Sequence, residues 1–181
     1  MNDNYELRMY FLTMYNISDI QKGIQCGHAA IEYGFWNHED PIYQEWVKFH
    51  KTFIILNGGT SNEGEALIPE GISGQGSMEQ HLLTLCENNI TTAIFKEPDL
   101  NNSLSAIAFL VDERVFNKID YPDFKGYLFN ENRLNDKELR LSEEIFHVDA
   151  KFKKDRVKWL ELIGGEKNVF LKTFLKQFRL A

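Results

Sequence analysis

Cysteine is scarce in this chain. Two residues, Cys26 and Cys86, are too few for a disulfide framework, and no group of His and Cys has the spacing of a zinc site. No apolar run approaches the roughly 20 residues that span a bilayer. The opening Met1-Asn2-Asp3-Asn4 lacks the basic-then-apolar pattern of a secretion signal. These absences predict a soluble, cytoplasmic protein in a reducing compartment, with no membrane contact and no metal or organic cofactor. Internal repeats and low-complexity tracts are also missing, which argues against a solenoid or a linker.

What is present suits a folded α/β protein. Its 181 residues are 43% hydrophobic and 13% aromatic, enough to bury about 70% of the unfolded surface. Twenty basic against 27 acidic residues give a net charge of −7, which opposes indiscriminate adhesion to nucleic acid. The charge is uneven. Residues 151–181 hold nine Lys/Arg and three Asp/Glu, a tail of +6, and the other 11 basic and 24 acidic residues leave −13 for 1–150.

Leu7–Tyr15 is short, apolar and aromatic, as expected of a strand covered on both faces. Ser18 and Gln21 form a capping box, and the helix that follows, through Tyr33, is expected to pack on the sheet with Ile20, Ile24, Ala30 and Ile31 near one side. Asp40-Pro41 starts a second, short helix. Thr52–Leu56 reads as a buried strand that Asn57-Gly58-Gly59-Thr60 ends. From there to Gly76 the chain holds six glycines and a proline, the composition of a long functional loop. Ser77 with Gln80 repeats the capping box, Met78, Leu82, Leu83 and Leu85 give its helix an apolar stripe, and Asn88-Asn89 stops it. Thr91–Phe95 and Leu104–Val111 are two further strands.

The order is therefore β-α-β-α-β-β. It predicts a mixed four-stranded sheet with helices on both faces, parallel pairing of the first two strands and a hairpin of the last two. Residues 1–116 form the expected core. Residues 117–181 form a mainly helical extension packed on it, with helical segments near 112–119 and 136–147. Past Gly164-Gly165, residues Phe170, Leu171, Phe174, Leu175 and Phe178 line one helical face opposite Lys172, Lys176 and Arg179. That basic amphipathic helix is a candidate contact for a protein partner or for RNA phosphates. Trp36, Trp46 and Trp159 read as core or interface anchors.

The most specific stretch is Gln25-Cys26-Gly27-His28-Ala29-Ala30, inside the helix after the first strand. It resembles the Q-C-S-H-A-A-like signature of the archaeal/eukaryotic-type (second class) peptidyl-tRNA hydrolases, and the element order over residues 7–116 is similar to theirs. The resemblance implies cleavage of the ester between a peptide and the 3′ ribose of tRNA, with no metal or organic cofactor. The family's lysine pair falls near Asp19 and Gln21 in this chain, where Lys22 is the nearby cation. Its acidic loop corresponds to Glu97-Pro98-Asp99-Leu100-Asn101-Asn102-Ser103, without the Arg and Thr. Lys22 is thus the implied phosphate contact and Gln25 a substrate-positioning residue. A second reading keeps the scaffold without catalysis, as a protein- or RNA-binding module, possible in a phage or host-interaction setting. A homodimer is compatible with either.

The residues support several roles in their own right. Gln25 and His28, three apart on one helix, point to nearly the same side. A neutral His28 is a general base for an attacking water or a hydrogen-bonding partner of a strand carbonyl. Glu97 and Asp99 stand at the end of a strand, where open α/β sheets place ligand-binding residues, and either orients a water or holds turn amides. Asn101, Ser103 and their neighbours Asn102 and Ser105 offer uncharged donors suited to ribose or backbone contacts. Asn57-Gly58-Gly59-Thr60 is an anion nest or a plain turn, and lacks the P-loop ending. Cys26, among small residues, reads as a buried thiol.

Overall fold

A computed structural model describes residues 5–61 and 76–181. Most of the expected glycine-rich loop, residues 62–75, lies outside them. The chain divides into two compact units, one running to Val111 and including Gln177–Ala181, the other comprising Asp112–Lys176.

The first unit is a mixed α/β layer structure. Strand β1 (Leu7–Met14) leads into helix α1 (Asp19–Asn37), a short helix α2 (Pro41–Glu45) and a π-helical turn at Trp46–His50. Strand β2 (Thr52–Gly59), helix α3 (Ser77–Glu87) and strands β3 (Thr92–Glu97) and β4 (Ser103–Asp112) complete it. The four strands lie in the order β2-β1-β4-β3. β1 and β2 are parallel, with Phe11 opposite Ile55, and β3 and β4 are antiparallel, with Ile94 opposite Ile107. Both pairings agree with the β-α-β-α-β-β reading.

β1 is covered on both faces because its side chains alternate between two helical layers. Leu7, Met9 and Phe11 join Cys26, Ala29 and Tyr33 of α1 in one core. Leu12 lies by Met78 of α3 on the other side, close to Gly58. The first capping box forms as expected: Gln21 N donates to Ser18 Oγ at 3.3 Å and Ser18 N donates to Gln21 Oε1 at 3.0 Å. Asp40 accepts from Ile42 N at 2.8 Å and so caps the Pro41 helix.

The face that α1 buries differs from the expectation. Gln25, Cys26, Ala29 and Tyr33 are buried, whereas Ile20, Ile24 and Ile31 are exposed. Small side chains decide this. Cys26 and Ala29 lie over Ala93 of β3 and Ala106 and Ala108 of β4, so the helix seats against the sheet where branched isoleucines would hold it off.

The second capping box does not form. Gly76 is the N-cap of α3, and Ser77 is its first residue. The Ser77 hydroxyl instead serves the end of β2, accepting from Thr60 N at 2.9 Å and donating to Gly58 O at 3.1 Å. β2 itself runs through Gly59 rather than ending at Leu56. Gly59 N donates to Asn57 Oδ1 at 3.0 Å, so two amides of the glycine turn are held by side chains of this chain. At the C-terminus, Asn57 N donates to Arg179 O at 2.9 Å and Ala181 N donates to Ile55 O at 3.1 Å. This covers part of the outer edge of β2, as edge strands require. Phe178 meets the His81 ring edge-on at 4.8 Å.

The second unit is helical: α4 (Glu113–Phe116), α5 (Phe124–Asn130), α6 (Glu143–Val148), α7 (Lys153–Ile163) and α8 (Glu166–Phe174). α4 and α6 fall in the two expected segments. α5 has no counterpart among them, because Gly126 interrupts its apolar spacing. It is held by burial of Phe124 and Leu128 with Phe146, Phe152, Trp159 and Ile163. Gly164, at φ +82°, ends α7, and Gly165 N donates to Leu160 O at 2.8 Å.

The expected basic stripe is dispersed. Lys172 is buried, and its ammonium donates to Tyr121 O at 2.6 Å and Val115 O at 3.5 Å. Burial holds its pKa below the usual lysine value, with Asp123 opposing that shift. Lys176 pairs with Asp123 at 2.9 Å. Arg179 lies past the last helical turn, in the segment beside β2. The tail's cations are therefore divided between a core, an ion pair and an extended segment, a division that helical periodicity does not foresee.

Candidate functional site

The candidate site grows from the contact between α1 and the end of the β3–β4 hairpin. The register of that hairpin pairs Phe95 with Ala106 and Lys96 with Leu104. Ser105 therefore has no partner of its own and sits in a β-bulge, a feature that re-aims side chains. Its hydroxyl lies against α1, 2.7 Å from Gln25 Oε1 and 3.1 Å from Phe95 O.

Gln25 is buried and uses both ends of its carboxamide. Oε1 accepts from Ser105, and Nε2 donates to Glu97 Oε2 at 2.5 Å. The other Glu97 oxygen, Oε1, accepts from Asp99 N at 3.4 Å and caps the Pro98–Leu100 turn. Ser105, Gln25 and Glu97 thus form one hydrogen-bonded line from the bulge to the last residue of β3. The line fixes the carboxylate by two donors, which a carboxylate used on a ligand requires.

His28, one helical turn beyond Gln25, lies against Phe95 with ring centroids 4.3 Å apart. Its Nδ1 is buried and has no hydrogen-bond partner among the described residues. A buried ring nitrogen left without a partner is uncommon and marks positions with a task beyond packing. Gln25 and His28 are thus brought to the same strand, β3, at Glu97 and Phe95.

The remaining expected residues are placed less uniformly. Lys22 lies one turn before Gln25 and reaches Asp19 Oδ1 at 3.3 Å. Asp99 is exposed in the turn, as are Asn101 and Asn102, both at positive φ. Ser103 is buried and donates to Leu100 O at 2.6 Å, so its hydroxyl closes the turn from within. Cys26 is buried in the core, and burial pushes its thiol pKa up to about 12, which suits a structural thiol.

No protein-family model matches the chain, and no curated protein matches it. The site's chemistry therefore rests on its own residues. Among the described residues no group of three or more His, Cys, Asp or Glu is placed to hold a metal ion, and no helix is long and apolar enough to cross a membrane.

Sequence reasoning singled out Gln25, His28 and Glu97 but did not foresee how they are tied. Ser105 was legible only as one donor in a polar turn. Its place in a strand bulge depends on hairpin register, which one sequence does not encode locally.

Proposed function

We propose that the protein hydrolyses the ester of a peptidyl- or aminoacyl-RNA, in the manner of the peptidyl-tRNA hydrolases that its Gln25–Ala30 segment resembles. The observation that carries this reading is the Gln25–Glu97 bond, which fixes a carboxylate at the end of β3 beside the helix bearing His28.

In this reading Glu97 takes a proton from water as the water oxygen attacks the ester carbonyl carbon. The tetrahedral intermediate then expels the 3′ oxygen of the ribose, which leaves with a proton as the hydroxyl. The products are a free carboxylate on the peptide and an RNA ending in a 3′ hydroxyl. His28 stands on the same side of α1 as the second group able to move a proton. Lys22 supplies positive charge toward a phosphate once its exposed contact with Asp19 is exchanged, at small cost for a surface pair. Asp99 and Asn101 present polar groups from the exposed turn. Gln25 acts on Glu97 and does not itself meet substrate.

Release of peptide from purified peptidyl-tRNA by the full chain tests the proposal. Turnover in the wild type that falls at least about 100-fold in Glu97→Gln supports it. No release under conditions where a known peptidyl-tRNA hydrolase is active overturns it. One observation favours the second reading, a binding module without turnover: both ends of the Gln25 carboxamide are satisfied internally, as in a brace between helix and hairpin. RNA binding that survives Glu97→Gln, without product from either protein, would select that reading.

A further inference from the structure

We propose that the outward face of α1 is a homodimer interface, in which α1 packs antiparallel against α1 of a second copy about a two-fold axis near Gly27. The helix is inverted relative to an ordinary amphipathic surface helix. Its sheet side carries Lys22, Gln25, Cys26, Ala29 and Tyr33, whereas Ile20, Ile24, Ile31, Phe35 and Trp36 are between 49% and 78% exposed.

At 3.6 residues per turn, Ile20, Gly23, Ile24, Gly27, Ile31 and Phe35 fall on one stripe, and none of them is charged. Trp36 stands against Phe35 at 4.9 Å in an edge-to-face contact and widens the apolar end. At up to roughly 150–250 Å² for a large side chain, the five exposed residues present on the order of 600 Å². A monomer's largest apolar patch is typically about 300–600 Å². One partner in a standard interface contributes about 800 Å². The face thus lies at the limit for a monomer and supplies most of one side of a stable dimer.

The pattern along the stripe selects a second copy as the occupant. Ile24 lies three residues before Gly27 and Ile31 four after it. Ile20 lies seven before and Phe35 eight after. An antiparallel two-fold at Gly27 therefore sets Ile24 against Ile31 of the partner subunit and Ile20 against Phe35 of the partner subunit. This is the self-complementarity that an isologous interface demands. A Cβ at Gly23 or Gly27 would meet nothing within 4 Å, so the backbone at the crossing is open to close approach. An uncharged face also avoids the repulsion that two chains of net charge −7 otherwise feel.

Sedimentation velocity on the full chain at micromolar concentration tests this, with circular dichroism of every variant. The wild type is expected at twice the 21.2 kDa chain mass. Ile31→Glu should return it to a single chain with its helical signal intact, whereas Val148→Glu, at a comparably exposed site in the other unit, should remain a dimer. A wild type that is monomeric throughout overturns the proposal, as does a dimer unaffected by Ile31→Glu. Should Ile31→Glu unfold, Gly27→Cys in a Cys86→Ser background decides. Disulfide-linked dimers on mild oxidation support the axis at Gly27, and their absence in a dimeric protein overturns it.

Discussion

The Gln25 carboxamide and the Glu97 carboxylate, 72 residues apart in the chain, meet at 2.5 Å. With Ser105 on the far side of Gln25, they tie a helix to a strand end through side chains alone. Gln25→Leu removes both bonds and leaves a part-buried carboxylate and hydroxyl each short of a partner. The expected loss is about 1–3 kcal/mol in urea denaturation. In a catalytic protein, turnover should fall while binding of RNA changes little, because Gln25 positions and does not touch substrate. A variant as stable as the wild type would show that the line carries no energy.

Gly59 sits at φ +94°, and a Cβ there would collide with Ser77 Oγ, the atom that receives the Thr60 amide. Gly59→Ala should destabilise by more than the ~1 kcal/mol that the backbone conformation alone costs. Thermal or urea unfolding measures it. A neutral result would mean that the junction of β2 with α3 relaxes without penalty.

Cys26 and Cys86 should differ in reactivity. Burial raises the Cys26 thiol pKa to about 12, and Cys86 is exposed. Intact-mass analysis after alkylation at neutral pH should find one modified cysteine in native protein and two after denaturation. Rapid modification of Cys26 in the native state would contradict the packing of α1 on the sheet.

Lys172 gives a pH dependence of definite sign. Its folded pKa is depressed below 10.5, chiefly by burial, so between that value and 10.5 the unfolded chain holds the extra proton. Stability contributed through this group therefore rises as pH increases across the window. The ion-paired Lys176 is raised by its hydrogen bond from Asp123 and works the other way. The two are separated by comparing the wild type with Lys172→Met. The stability difference should shift toward the wild type from neutral pH to the ordinary lysine value, and a flat difference would place the ammonium in solvent.

Local chemistry carried much of the fold. Ser18 with Gln21 and Asp40 with Pro41 set helix starts because a cap is satisfied within a few residues. The apolar run of β1 and the helix after it required a parallel crossover to β2. The same logic failed at Ser77, whose hydroxyl has two routes to satisfaction. The distant one, at Gly58 and Thr60, took precedence over Gln80.

The amino-acid order thus determined the succession of strands and helices, the caps at Ser18 and Asp40, and the pairing directions, since each follows from short-range spacing and chain connectivity. Only the tertiary structure decided which face of α1 is buried, that Lys172 is a core residue, and that Ser105 bulges toward Gln25. Those choices rest on steric fit and hairpin register between distant segments: alanines beneath Cys26 and Ala29 admit the helix closely, and a single unpaired residue re-aims a hydroxyl.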